Sequence, residues 1–390
     1  MTTSRDFLGK FESGNVKILQ DMGYFVHYAA NMKEQEDLYD EEKVNRLGVM
    51  VHHIDIERSP YMLRNNWKAF HQLVELVRRY NISIIHCHTP VGGVLGRLAG
   101  RYFQRDGICI IYTAHGFHFY RGAPWFNNSV YYCVEKMLAH DTDILIVINR
   151  EDYESACRFR LKKGGKVFRI PGVGVDMQKF SPLTEEQRQS ARQTLGIRPG
   201  QTFLISVGEI NKNKNQEIIL KALSLIRDRG KDMTGLFYGI CGDGFFRGYI
   251  EQQIHSMGLD DNVKIFGFRK NVREILGCAD VSVFPSKREG LGMAALESLS
   301  MGIPVIAADN RGTREYMKNG VNGYVCAFDD ADAFADRICA VMDMTGERKC
   351  EMQKRCRMSV EMFERKKTEE QMYEIYRVAD EMIMRDVRHG

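Results

Sequence analysis

Apolar runs of strand length alternate with amphipathic runs of helix length along almost the whole chain, and that alternation leaves few folds open. Residues 24–29, 49–56, 82–86 and 108–113 read as strands. Between them, residues 67–80, with Phe70, Leu73, Val74 and Val77 at helical spacing, and residues 93–103 read as helices. The pattern resumes with strands at 203–207, 236–241, 263–266 and 281–284, and no repeat period or low-complexity tract interrupts it. The expected architecture is α/β with doubly wound sheets. A chain of 390 residues suits two such domains.

The beginning breaks the pattern. Residues 7–22 have the apolar spacing of a helix and lead through Gly23 into the strand at 24–29, so helix comes where an α/β domain normally has strand. Only the polar Thr2-Thr3-Ser4 precedes it. The expectation is that the first strand of the N-terminal domain is missing, through a misassigned start codon or a truncated domain. Its neighbours would then carry bare apolar surface and unpaired backbone groups.

The densest chemistry lies at residues 285–302. A buried strand at 281–284 runs into Pro285-Ser286-Lys287-Arg288-Glu289-Gly290-Leu291-Gly292, followed by good helix formers up to Gly302. A helix entered from a glycine turn directs N–H groups and a positive dipole end at whatever sits above the strand tips, which suits a diphosphate. Glu289 and Glu297 would repel phosphate and suit sugar or ribose hydroxyls beside it. Taken on spacing alone, an ordinary strand-to-helix turn with two solvated glutamates is an equal reading.

Pro-Ser-x-x-Glu-Gly-x-Gly with Glu297 eight positions after Glu289, then Met-Gly-Ile-Pro-Val-Ile, resembles the donor-site motif of GT-B glycosyltransferases of family 4. The resemblance covers nearly the whole chain and is strongest over residues 206–325. It implies two Rossmann-like domains facing a cleft, and retaining, metal-independent transfer from a UDP-sugar. Glu289 would contact the donor sugar and Glu297 the ribose, with Gly290, Leu291 and Gly292 lining the donor site. After the strand at 203–207, Gly208 would let the backbone approach and Lys214 would bind phosphate; the usual arginine after that glycine is Glu209, a loss of charge that Lys212 would restore. Arg269 lies in the loop expected near base and phosphate. The domains implied are 1–180 for the acceptor and 181–370 for the nucleotide sugar, with a C-terminal helix at 371–390 crossing back.

In the first domain, Tyr-Thr-Ala-His-Gly resembles the family's acceptor-side segment, which makes His115 the first choice there, contacting the donor sugar from across the cleft. His118, Phe117 and Tyr120 are acceptor-side candidates, although the run of aromatics is read slightly more readily as core. Catalysis would then rest on His115, Glu289 and Lys214. Asp141-Thr142-Asp143 is a D-x-D triplet, but it stands at the N-terminal edge of the strand 144–148, opposite the ligand edge. His86-Cys87-His88 alternate in direction along a strand, so Cys87 faces away from both histidines, and no third ligand is near in sequence. No metal and no cofactor are expected.

Net charge is +4, too small an excess to point to nucleic acid, though compatible with an anionic lipid surface. The ten scattered cysteines read as reduced thiols. No apolar run approaches membrane-spanning length and no signal-peptide core is present, so the protein is expected in the cytoplasm, where peripheral association with the inner face of the membrane is compatible with the sequence. The expected partners are a nucleotide sugar and a glycan or glycolipid acceptor. Rival readings are a degenerate, non-catalytic nucleotide-sugar binder, motivated by Glu209 and the missing strand, or an epimerase or phosphorylase on the same fold. The epimerase lacks the extended glutamate motif, and no pyridoxal lysine is identifiable for the phosphorylase.

Overall fold

The computed structural model describes residues 1–33, 40–104 and 107–389. The chain divides into two compact units, Met1–Val173 with Lys366–Gly390, and Gly174–Arg365.

The second unit is built on one parallel sheet. Its strands are β7 (Thr202–Val207), β8 (Leu236–Cys241), β9 (Val263–Gly267), β10 (Val281–Phe284), β11 (Val305–Ala308) and β12 (Gly323–Cys326), in the order β12-β11-β10-β7-β8-β9. Phe203, Leu204, Ile205, Val281, Val305 and Ile306 have no exposed surface. Strands covered on both faces read as continuous apolar runs, which is why sequence alone locates them. Helices such as Gln216–Asp228 close the faces through Ile219, Leu220, Leu223 and Ile226, all fully buried.

The first unit has the same alternation but a divided sheet. β1 (His27–Ala30) pairs with β2 (Met50–His53), whereas β3 (Ile84–His88), β4 (Cys109–Ala114), β5 (Ile144–Val147) and β6 (Lys166–Arg169) form a separate parallel sheet. The strand expected at 49–56 stops at His53 because side chains take over its backbone: Gln72 Oε1 accepts from Asp55 N–H at 2.8 Å, and Asn66 Oδ1 from Glu57 N–H at 2.9 Å. The first helix is a π turn, Leu8–Glu12, continued by Ser13–Asp21.

Met1 and Thr2 stand where the expected first strand would end. The Met1 amine donates to His86 O at 2.5 Å, Met1 O accepts from His88 N–H at 3.0 Å, and Thr2 N–H donates to Ala29 O at 3.1 Å. Two residues thus bridge the two sheets. The C-terminal helix Arg365–His389 is fixed within this unit by Tyr376 Oη to His86 Nδ1 at 2.8 Å and by Tyr24 Oη to Asp380 Oδ1 at 2.6 Å.

Candidate active site

β7 and β10 are neighbours in the sheet of the second unit, so the loops leaving their C-terminal ends run side by side. Asn211 Oδ1 accepts from the N–H groups of Asn213 and Lys214 at 3.0 and 2.9 Å, an Asx turn that shapes the first loop. Asn213 Nδ2 donates to Arg288 O at 2.9 Å and Lys287 N–H to Asn213 O at 2.8 Å, tying it to the second. The result is Lys214 Nζ 2.7 Å from Glu289 Oε1, both half-buried. These two residues lie 75 positions apart in sequence.

Glycine is required around this pair. Gly208 has φ +149°, and a Cβ there would meet the Lys214 stem at 3.3 Å; a Cβ on Gly242 would lie 1.9 Å from Gly208 O. Gly292, at φ +96°, caps the helix Met293–Ser300, and a Cβ there would lie 2.8 Å from the Phe284 ring. The helix therefore starts directly above β10 and aims its first N–H groups over the strand tip. The Leu291 side chain is buried in the core, so any role in donor binding falls to its backbone.

Glu297 is one turn into that helix. Burial pushes its carboxyl up to about 7, against the opposing pull of Lys179 and Arg365. Lys212 is exposed, and its ammonium sits 5.6 Å from the centre of the Phe246 ring, so it does not duplicate Lys214. Arg269, also exposed, follows β9; its Nε donates to Phe266 O at 3.0 Å, and its charge reaches Cys241 at the end of β8. Glu209 is exposed as well.

A third loop, after β11, was missed by sequence reasoning. Asn310 Nδ2 donates to Ser286 O at 2.8 Å, and its Oδ1 accepts from Gly312 and Thr313 N–H at 3.0 and 3.1 Å. Arg311 Nε approaches Glu289 O at 3.4 Å, and a Cβ on Gly312 would lie 2.8 Å from Leu291 O. The signal was present as Asp309-Asn310-Arg311-Gly312 following a buried strand, a turn signature at the ligand edge.

In the first unit, His115 follows β4 and its Nε2 lies 3.2 Å from His88 Nδ1. Burial lowers His115 to about 4 and takes His86 and His88 well below the usual histidine range, with neighbouring histidines adding to the effect on those two. All three are neutral near pH 7. The third ligand that sequence proximity could not supply arrives from the N-terminal segment: Glu12, His86 and His88 each bring a ligand atom within 4.8 Å of the others. Yet all four imidazole nitrogens of His86 and His88 already face protein groups, namely Tyr376, Thr113, His115 and Glu12. The donor set is a closed hydrogen-bond network.

The acceptor-side candidates separate. Phe117 is 2% exposed and stacks on Phe119 at 4.7 Å within a cluster with Phe159, so its ring belongs to the core and offers no face to an acceptor. Tyr120 is half-buried, with its N–H bonded to Asn128 Oδ1 at 2.8 Å, and His118 packs near Tyr131. Trp125 and Phe126 are the exposed aromatics here. Asp143 receives Ile110 N–H at 2.9 Å and Lys162 Nζ at 3.0 Å, so the D-x-D triplet is built into the base of the sheet.

Residues 187–359 match the family described as glycosyl transferases group 1, and residues 16–179 match glycosyltransferase family 4. EpsD of Bacillus subtilis (strain 168), named as a glycosyltransferase, is 39% identical over 322 residues, covering 83% of this chain and 81% of that protein. An Escherichia coli protein named UDP-Gal:alpha-D-GlcNAc-diphosphoundecaprenol alpha-1,3-galactosyltransferase is 28% identical over 73% of this chain and 74% of its own. Among solved structures, Anabaena HepE in complex with UDP and glucose has a TM-score of 0.77 at 18% identity, covering 97% of this chain and 98% of that one. With parallel α/β sheets, a braced glycine–glutamate loop and these relatives together, the chain belongs to the family 4 type of glycosyltransferases with the GT-B fold.

Proposed function

We propose that the enzyme moves a hexose or N-acetylhexosamine from a UDP-sugar to a polysaccharide or lipid-linked oligosaccharide, with retention and without a metal. The observation that carries this reading is Lys214 Nζ at 2.7 Å from Glu289 beside the start of the helix Met293–Ser300. Negative charge grows on the diphosphate as the glycosidic bond breaks, and fixed donors placed to meet it lower the barrier without reorganising. Lys214 and the helix N–H groups supply those donors. Glu289 accepts from sugar hydroxyls and Glu297 from the ribose, while Arg269 serves the base or phosphate side. His115, neutral at pH 7, is suited to hydrogen-bonding a sugar hydroxyl.

The Escherichia coli relative supports a UDP-sugar donor and a lipid-diphosphate acceptor through its name, and the Anabaena complexes support UDP and glucose. No helix among the described residues is long and apolar enough to cross a membrane, so contact with a lipid-linked acceptor would be peripheral. The test is a panel of UDP-sugars with an N-acetylglucosaminyl lipid diphosphate in EDTA, read as UDP release and product anomeric configuration. Transfer with an α-linked product from an α-linked donor is expected. Activity lost to EDTA and restored by manganese would overturn the metal-independent reading; UDP binding without turnover of any sugar would favour the non-catalytic one.

A further inference from the structure

His88 ends β3 opposite Thr113 of β4, and His115 follows β4 two residues later, so the two imidazoles meet at the tips of paired strands. His88 Nδ1 lies 3.2 Å from His115 Nε2, and its Nε2 lies 3.5 Å from Glu12 Oε2. Asn15 Nδ2 donates to the same carboxylate oxygen at 2.6 Å. The Phe7 ring covers both histidines, at centroid distances of 5.2 Å from His88 and 5.3 Å from His115. Phe7 and Glu12 are five residues apart, a spacing that an α-helix would aim in different directions; the π turn Leu8–Glu12 brings both to the histidines. Glu12 and His88 are buried, where a polar group without a partner is costly.

Glu12, His88 and His115 thus form a line with one open end. His88 faces a partner with both nitrogens, whereas His115, half-buried, makes no polar contact among the described residues except Nε2 to His88. Its Nδ1 is left for a ligand. Both rings are neutral near pH 7, and a neutral imidazole has one N–H and one lone pair, so the direction of the bond at one end of the line fixes every other. An ionised carboxylate only accepts. It holds the proton of His88 on Nε2, the Nδ1 lone pair of His88 then accepts from His115 Nε2–H, and His115 Nδ1 is a bare acceptor. His86 does not compete for this line, because Tyr376 Oη and Thr113 Oγ1 take its two nitrogens, each at 2.8 Å.

We infer that Glu12 and His88 are positioning residues that hold His115 as a hydrogen-bond acceptor at Nδ1, where it accepts from a hydroxyl of the donor sugar. The inference rests on the role given to His115 in the proposed function and adds the direction of its bond. A site of this polarity admits a hydroxyl and opposes a group that only accepts, such as fluorine or a carbonyl oxygen. Without the carboxylate the line has no fixed end, and His115 presents N–H and lone pair to the sugar in turn.

The test uses the full chain at pH 8, where the Glu12 carboxyl, pushed up to about 7 by burial, is ionised. Nitrogen NMR of the imidazoles, which needs no turnover, should show the His115 proton on Nε2 in the unmodified protein and both tautomers in Glu12→Met. Glu12→Met should lower kcat/KM for the UDP-sugar about tenfold, leave the Kd of UDP alone unchanged, and cost nothing further in a His115→Phe background, because it acts through that ring. A His115 proton on Nδ1 in the unmodified protein would overturn the inference even where a variant fails to fold. An unchanged spectrum in Glu12→Met, or an equal loss from Glu12→Met with and without His115, would overturn it too, the latter marking a merely structural glutamate. Undiminished transfer by His115→Phe would instead remove His115 from the donor sugar, and the inference would fall with that role rather than through its own geometry.

Discussion

The two units carry the same alternation of strand and helix, yet one sheet is continuous and the other is split. In the second unit six strands form one continuous parallel sheet, and three loops at their C-terminal ends brace one another through Asn213 and Asn310. In the first, the corresponding edge is held across the gap by Met1 and Thr2, and a histidine network lies buried next to it. The difference teaches that a parallel sheet positions a site only where its strands are adjacent. Loops at the tips of paired strands inherit fixed spacing from the ladder, and loops across a gap do not.

If the second unit's site is separable from its fold, Lys214→Ala should lower kcat by about 10²–10³ while Tm stays nearly unchanged, measured by UDP release and calorimetry. A large drop in Tm would mean that the Lys214–Glu289 pair holds the loops together. Glu297 sharpens the same point with opposite signs. Its folded carboxyl titrates at about 7, above an unfolded glutamate, so the folded state retains a proton that the unfolded chain has released, and stability is lost as pH rises from 4.5 to 7. Glu297→Gln should therefore raise Tm at pH 8 while weakening UDP binding by roughly 1.5–3 kcal/mol. Calorimetry showing unchanged UDP affinity would remove Glu297 from the donor site.

The first unit should respond to acid in its own way. Unfolded histidines take up protons near 6.5, whereas His115 waits until about 4 and His86 and His88 are held below the usual range. Their contribution is complete above the unfolded value and is lost as pH falls toward 4. Glu12, pushed up to about 7 by burial, runs the other way between 7 and 4.5, so three imidazoles outweigh one carboxyl. Amides of β3 and β4 should lose protection before those of β7 and β8 in a urea series, by a margin that widens from pH 7 to pH 5. A margin independent of pH would break the comparison. The smallest effect belongs to Lys212→Ala: with its ammonium over Phe246, it should change UDP affinity by less than about 1 kcal/mol.

Strands buried on both faces and helices with an apolar stripe were legible in the sequence, and so were the turns after β7 and β10 that carry Lys214 and Glu289. Asn310 and Arg311 were not singled out, because a turn of polar residues after a strand looks alike whether it braces a site or faces water. Phe117 was ambiguous for a related reason: an aromatic after a strand tip is equally good as core or platform, and only its stacking on Phe119 decides.

The amino-acid pattern by itself determined the α/β class and the two-part organisation, since periodicity and glycine turns are local properties of the chain. Tertiary structure decided which distant groups meet. The approach of Lys214 to Glu289 depends on β7 lying beside β10, and the placing of Glu12 beside His86 and His88 on how the first helical segment packs, and both are set by packing over the whole unit rather than by any window of sequence.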